Sequence, residues 1–443
     1  MLRLQAWNER IRESLWFWPV LTGIGSAIAA WALARVGSSE GTLVGRLLAS
    51  PEPDEVRPIL VTLLGAIVAA ESILSSLTIV TLQTASTQFS PRLLRNFLRD
   101  RTTQAVLALF VGTSGFLTTL IIEADDTTAD LAVTVSVALV FAVVVVIAWF
   151  FGHVSQSLRV ESMMHTATDE ARDAVDRLER WLATGRPAHD ATTPVPATST
   201  AVLATRSGYV QQVDTAALLH VAAEHGITLR LVPQLGQPVT EGAPLAWWWI
   251  EPSRTSTPPP SSNAVARRVV ANVGIGFERT ERHDVGLGLR QLVDMSIKAM
   301  SPAVNDPYTA MQAVDHLGSI LVRLGRLPLG DHVWSNDDAA AVLILPVATY
   351  GEFASLACDQ LRRYGAREPA VMHRMMAMLR DVASAADERH HLTLRRLVVE
   401  CGATAQAGVE HQVDRMAVDE ILQEILNWFD RGVAPTTVFR NGL

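Results

Sequence analysis

The amino-acid sequence predicts an α-helical membrane protein with four transmembrane helices, followed by a cytoplasmic α+β region that contains a small β-rich module. Of its 443 residues, 49% are hydrophobic and only 19% are charged, whereas soluble domains carry about 25% charged residues. Charged residues are scarcest in the first third of the chain, where four long apolar runs follow one another. Beyond residue 152 the pattern changes to strand-like alternation and then to helical periodicity.

Each of the four apolar runs reaches the length of about 20 residues that a bilayer-spanning helix needs. Three of them lack charged side chains over 21 residues or more, and the second contains one, Glu71. The predicted spans lie at about residues 14–36, 58–91, 102–122 and 131–152 of a membrane domain assigned to residues 1–152. The first run is long and lacks a signal-peptidase-like site, so a cleaved signal peptide is not expected.

The charges of the flanking segments predict the orientation. Arg3, Arg10 and Arg12 precede the first span, and four arginines lie between the second and third spans. The loop between the third and fourth spans contains four acidic residues and no basic one. Because basic loops stay in the cytoplasm, both termini are predicted to be cytoplasmic.

The remaining chain divides into three predicted segments. Residues 153–200 are assigned to a connecting helix, expected over 153–183, and a Pro/Thr-rich linker. Residues 201–253 alternate in the manner of strands around one short helix. Residues 264–443 are mainly helical, with one strand expected at 340–348.

The second span carries the candidate conduction path. Its polar side chains recur at helical spacing, and Glu71 is expected near the bilayer midplane, where a charged group usually faces a partner or water. These side chains are predicted to line an ion or solute path, or alternatively to form hydrogen bonds between helices. The predicted lining residues are Glu71, Ser72, Ser75, Ser76, Thr78 and Gln83.

Arginines continue the second span at its inner end. Arg92, Arg95 and Arg99, with Arg101 beyond them, could concentrate anions at a pore mouth. The alternative is contact with anionic lipid headgroups combined with a role in membrane topology.

A third cluster lies in the C-terminal region. Arg279, His283 and Asp284 precede Asp294, and the run from Ser301 to Ala310 contains Asn305 and Asp306. Such side chains could ligate a metal, orient a polar ligand or supply a base. Alternatively, Ser301-Pro302 and Asp306-Pro307 are each an N-cap followed by proline at the first helical position.

Motifs for other functional classes are missing from the sequence. It contains no HExxH, nucleophile elbow or phosphate-binding loop, so no catalytic residue, cofactor or metal site is expected. The formal net charge of −8 argues against nucleic acid as a partner.

Three motifs carry a resemblance to a known family. The polar run 71–94, the segment Gly208–Gln211, and Arg279-Thr280 with the Ser-Pro-Ala-Val-Asn-Asp-Pro run at 301–307 resemble bacterial predicted membrane proteins grouped as domain of unknown function 2254. The resemblance implies a multipass protein of the bacterial inner membrane with a cytoplasmic C-terminal region, and no established activity. Residues 201–253 also resemble barrel-sandwich hybrid domains, but the one lysine, Lys298, lies outside them, so carrier chemistry is not expected.

The leading functional hypothesis is a homo-oligomeric ion channel, or channel-like transporter of a small solute, in contact with the lipid bilayer and gated by its cytoplasmic region. One polar helix in four is too few to enclose a path, whereas cyclic copies of the second span could do so. The alternatives are a membrane-tethered sensor or scaffold, and an enzyme that uses the Asp284, Asn305 and Asp306 region.

The loop charges generate a topology prediction. Reporter fusions at Thr128 and at Arg186 are expected to localise to opposite sides of the membrane, because the fourth predicted span separates the two positions. Compartment-specific phosphatase and fluorescence reporters measure this directly. Localisation of both fusions to one side would contradict the four-helix arrangement.

Overall fold

The computed structural model describes residues 16–35, 53–88, 100–123, 130–157, 159–188, 194–251, 261–280, 284–335 and 342–431. The described chain forms two compact units, one within residues 1–163 and the other within residues 164–443. Each unit has its own hydrophobic core.

The N-terminal unit confirms the predicted number of spans. Its described residues include four helices, each with a segment long and apolar enough to cross a membrane. Their bounds are α1 (Phe17–Ala34), α2 (Pro53–Gln88), α3 (Arg101–Glu123) and α4 (Asp130–Ser157). The 36 residues of α2 extend over about 54 Å at 1.5 Å per residue, well beyond a hydrocarbon core of about 30 Å.

Helix α3 is the central helix of this unit. Within its span 44% of the residues are buried, against 11% to 22% in the other three. It packs against α1, α2 and α4, and glycines allow its closest approach to α1. A Cβ atom on Gly115 would lie 3.0 Å from the carbonyl oxygen of Gly23. The Thr22 hydroxyl also donates a hydrogen bond across the interface to the carbonyl of Ala108 at 3.0 Å.

The continuous helix predicted over residues 153–183 is wrong. Helix α4 ends at Ser157, and a separate helix α5 (Val160–Leu182) begins three residues later. The break separates a helix that is apolar on all sides from an amphipathic one. The apolar stripe of α5 is buried in its own unit, where Ala171 lies against Gly288 so closely that an added Cβ would be 2.6 Å away.

Nine strands in the described part of the C-terminal unit form two sheets. The six-stranded sheet has the order β1-β8-β9-β4-β6-β2, and the three-stranded sheet has the order β5-β3-β7. Strands β4 and β9 pair in parallel, and the other neighbours are antiparallel. The strands are β1 (Arg186–Pro187), β2 (Thr200–Leu203), β3 (Gly208–Val213), β4 (Thr228–Leu231), β5 (Pro238–Val239), β6 (Pro244–Trp249), β7 (Val273–Gly276), β8 (His332–Ser335) and β9 (Val342–Leu345).

The barrel-sandwich interpretation of residues 201–253 is not confirmed. Their strands are divided between the two sheets, and neither sheet closes on itself within the described ranges. Strands from much later in the chain complete both sheets, since β7 pairs with β3 and β9 pairs with β4. Strand β9 confirms the strand expected at 340–348.

Helices supply the rest of the C-terminal unit. Leu292, Leu317 and Met375 are fully or almost fully buried where the central helices pack together. The helices are α6 (Thr215–His225), α7 (Ser262–Ala271), α8 (Val285–Ala299), α9 (Pro307–Leu324), α10 (Tyr350–Tyr364), α11 (Pro369–Ala385), α12 (His391–Gly408) and α13 (Gln412–Arg431), with a short 3₁₀ turn at Glu388–His390.

The contact between α1 and α3 generates a stability prediction. Gly115→Ala is expected to destabilise the protein by about 1–3 kcal/mol, because the new methyl group forces the helices apart. Gly25→Ala on α1 is the matched control, since a Cβ there meets no atom within 4 Å and alanine favours the helix. Thermal unfolding of the purified variants measures both effects. Equal melting temperatures for the two variants would contradict the close packing at Gly115.

Candidate functional site

The predicted path residues lie on two sides of α2. Glu71, Ser75 and Thr78 are half-buried at the edge of the surface that packs within the protomer, whereas Ser72, Ser76 and Gln83 are exposed. The Thr78 hydroxyl donates to the carbonyl of Leu74 at 2.8 Å, and the Ser72 hydroxyl donates to that of Val68 at 2.9 Å. Several hydroxyl groups of this helix are therefore satisfied by its own backbone.

The charge of Glu71 lies well inside the span. The apolar segment of α2 extends from Glu55 to Val80, so Glu71 is about 5 Å from its middle at 1.5 Å per residue. The described part of the chain provides no hydrogen bond or ion pair to this carboxylate. Arg92, Arg95 and Arg99 lie outside the described residues, and their role at the inner mouth stays a prediction.

Sequence reasoning missed a groove between α1 and α3 that is mainly apolar but includes several polar side chains. The groove has a volume of about 660 Å³, and its polar lining includes Thr22, Ser26, Gln104 and Thr113. Gln104 and Thr113 are 4% and 1% exposed, and their side chains include buried polar atoms without a hydrogen-bond partner in the described chain. The glycines of α1 and α3, together with a glutamine inside an apolar run, were the available signal.

A carboxylate and an imidazole meet at the start of α3. His153 Nε2 donates to Asp100 Oδ2 at 2.8 Å, and Asp100 also accepts from the backbone of Thr102 and Thr103. Burial raises the pKa of Asp100, but these hydrogen bonds outweigh the burial and hold the pKa below its usual value. The pair therefore anchors the beginning of α3 to α4 through an ionised carboxylate.

The C-terminal unit contains a cavity of about 300 Å³ bounded by the predicted Arg279 and Asp284. The Arg279 guanidinium donates two hydrogen bonds to the Asp284 carboxylate, at 2.6 and 2.7 Å. Asp284 also caps α8 by accepting from the backbone N–H of Leu287 at 3.1 Å. Gly236, at φ +80°, packs so closely that a Cβ atom there would overlap this carboxylate.

A second capped helix borders the same cavity. Thr349 and Glu352 form a reciprocal capping box at the start of α10, and Gln234 Nε2 contacts Glu352 Oε1 at 3.4 Å. With Arg279 and Asp284, the lining has one cationic and two anionic side chains among mainly apolar ones. Such a lining suits a small polar ligand. No group of three or more potential metal ligands was found among the residues with described positions.

Ser301, Asn305 and Asp306 of the third cluster do not line this cavity. Asp306 caps α9, where its carboxylate accepts from the backbone and hydroxyl of Thr309 at 3.1 and 2.5 Å. Asn305 has φ +49°, the left-handed conformation that asparagine tolerates, and it precedes the cap. The predicted cap at Ser301 is wrong, because residues 301–304 form a turn rather than a helix start.

Two further candidates of the third cluster are His283 and Asp294. His283 lies outside the described residues. Asp294 is on α8, one helical turn after Arg290, with which it forms an ion pair at 2.8 Å. The structure therefore brings Arg279 and Asp284 together and places Asp294, Asn305 and Asp306 in local structural roles.

Four membrane-spanning helices joined to a C-terminal unit with two sheets define a multipass membrane protein. The chain belongs to the family described as predicted membrane protein (DUF2254), whose model matches residues 12–381.

Mycobacterial relatives share most of the chain. The uncharacterized protein Rv1290c of Mycobacterium tuberculosis is 32% identical over 426 residues, which cover 94% of this chain and 81% of the relative. The uncharacterized protein Mb1321c of Mycobacterium bovis matches with the same identity and coverage. A search of solved structures found no match.

The cap at α9 generates a stability prediction. Asp306→Ala removes the acceptor for the Thr309 backbone and is expected to cost about 1 kcal/mol of folding free energy. Asp306→Asn is the control, because asparagine is an equally good cap. Thermal unfolding of the full chain measures the difference. Unchanged stability of Asp306→Ala, together with loss of a ligand-dependent response, would indicate a binding role instead.

Proposed function

We propose that this protein is a non-catalytic, homo-oligomeric channel or channel-like transporter for an ion or small solute, located in the bacterial inner membrane with both termini in the cytoplasm. Its path is lined by copies of α2, and its C-terminal unit regulates it. The observation that carries the proposal is the exposure of Ser72, Ser76 and Gln83 on the side of α2 that points away from the packing surface of the protomer.

The two faces of α2 differ in chemistry. Leu60, Ile67 and Leu74 are 0% to 3% exposed and form the surface that packs on the other helices. At 100° per residue, Ser72 and Ser76 lie about 160° around the helix from Leu74, and both are exposed. The packing side of α2 is therefore apolar, whereas its outward side exposes these two serines among apolar side chains such as Val68 and Ile79.

This arrangement favours an oligomer. A bilayer does not hydrate polar side chains, so serine and glutamine are better placed against another helix or a water-filled path than against lipid. Gly65 lies on the same outward side, and a Cβ atom there would meet no atom within 4 Å. A second copy of α2 could therefore approach closely, and cyclic symmetry would place several polar faces around one axis.

Glu71 provides the charge of the proposed path. It lies between the packing face and the outward face, where its half-buried carboxylate has access to both. A charge at a constriction acts more strongly than charges in a solvated vestibule. We therefore expect cations to be favoured, although the arginines at 92, 95 and 99 would attract anions towards the inner mouth.

Replacement of Glu71 tests the path. Glu71→Gln preserves shape and hydrogen bonding but removes the charge, and it is expected to reduce cation flux in proteoliposomes by roughly fivefold, which corresponds to the loss of about 1 kcal/mol of attraction. Glu55→Gln is the matched control, because Glu55 is exposed at the far end of the same span. Subunit number is measured in parallel by native mass spectrometry.

Two outcomes would contradict a path along α2. One is unchanged flux in Glu71→Gln, and the other is absence of flux from the wild-type protein across the ions and solutes tested. Either result would favour a membrane-tethered sensor or scaffold. That second candidate is supported by the cavity beside Arg279 and Asp284, which has the size and mixed lining of a small-ligand site.

A further inference from the structure

The groove between α1 and α3 has a charged end. Arg101 is exposed at the first residue of α3, and Trp18 lies at the corresponding end of α1 with 44% of its surface exposed. Both residues line the groove. Tryptophan and arginine are typical of the level at which lipid headgroups meet the hydrocarbon core, and a guanidinium group binds phosphate through paired hydrogen bonds.

A hydrogen-bond donor lies one helical turn deeper. Gln104 is 4% exposed, lines the groove, and its Nε2 group has no partner within the described chain. It is about 4.5 Å further along α3 than Arg101. An amide donor buried without a partner is costly in an apolar medium. Rotation of the amide group about χ3 would turn Nε2 towards the groove, where an acceptor oxygen from outside the protomer would satisfy it.

Thr113, unlike Gln104, does not need an acceptor from outside the protomer. Its hydroxyl also lacks a partner, but a rotation about χ1 can direct it to the backbone carbonyl four residues earlier. Thr118 and Thr119 of the same helix donate in this way to the carbonyls of Ser114 and Gly115. Gln104 is therefore the residue whose hydrogen bonding depends on an occupant.

Beyond Gln104 the α3 wall of the groove is mainly apolar, and on α1 the hydroxyl groups of Thr22 and Ser26 bond to carbonyls of their own helix. The α3 wall is formed mainly by Ala105, Ala108, Leu109 and Gly112, which extend the groove by about 12 Å towards the interior of the span. Along the α3 wall of the groove, a cation is therefore followed by a hydrogen-bond donor and then by an apolar surface. A phospholipid presents the complementary order of phosphate, ester carbonyl and acyl chain.

We propose that this groove binds one anionic phospholipid. Its phosphate pairs with Arg101, one ester carbonyl oxygen accepts a hydrogen bond from Gln104 Nε2, and one acyl chain lies along α3. This site is separate from the outward face of α2, and it does not depend on the proposed transport activity.

Lipid binding is measured on the purified full-length protein in detergent by native mass spectrometry and by thermal unfolding. The probe is phosphatidylglycerol, with zwitterionic phosphatidylcholine for comparison. The wild type is expected to retain one phosphatidylglycerol preferentially and to melt at a higher temperature in its presence. Arg101→Gln and Gln104→Leu are each expected to weaken this binding by about tenfold, as when a hydrogen bond to a charged or buried group is lost.

Two matched variants control for general effects. Arg159→Gln removes another exposed arginine that lies outside the groove, and Ser136→Ala removes a buried hydroxyl group of α4 that pairs with its own helix. Both are expected to bind phosphatidylglycerol as the wild type does. Because Arg101 is exposed, its variant remains informative even if Gln104→Leu fails to fold.

Three results would overturn the proposal. The first is unchanged phosphatidylglycerol binding in Arg101→Gln. The second is equally tight binding of glycerol phosphate, which lacks acyl chains and would indicate a soluble ligand. The third is disulfide cross-linking of Ser26→Cys between two protomers, which would identify a second copy of the chain as the occupant.

Discussion

A bilayer offers no water to a polar group, and this constraint governs the N-terminal unit. Most of its hydroxyl groups bond to the carbonyl of the preceding turn, as Thr78 and Ser136 do. The Thr22 hydroxyl bonds to the carbonyl of Trp18 on its own helix and also to that of Ala108 on α3. The described residues that local bonding does not satisfy include Glu71 on α2 and Gln104, Thr113 and Ser114 on α3. The proposed path and the proposed lipid site depend on Glu71 and Gln104, because a charged or amide group in an apolar medium requires a partner, and the described part of the protomer supplies none to the Glu71 carboxylate or to Gln104 Nε2.

Glycine makes the α1–α3 contact possible and shapes the groove beside it. The backbones approach closely at Gly23 and Gly115, where even a methyl group would be crowded. Small residues of α3 also leave the groove open towards the charged end. The small side chains on α3 thus explain both the close packing in one half of the interface and the open groove in the other half.

The C-terminal unit is held together by pairings between distant parts of the chain. Strand β4 lies between β6, which is close in sequence, and β9, more than 100 residues further on. Beside these sheets, the ion pair of Arg279 and Asp284 joins the segment after β7 to the start of α8, and Gly236 closes over the carboxylate. Loss of Asp284 would therefore remove a helix cap and leave Arg279 without this partner.

The sequence by itself determined the four spans and the cap at Asp306. Each depends on hydrophobic length, helical periodicity or a residue pair adjacent in sequence, and these signals are local. Only the tertiary structure decided that 201–253 does not close into a barrel-sandwich, that Arg279 and Asp284 share a cavity without Asn305 and Asp306, and that Gln104 borders a groove. Strand partners and cavity walls come from segments far apart in the chain, and their meeting is set by packing of the whole unit, which no local pattern encodes.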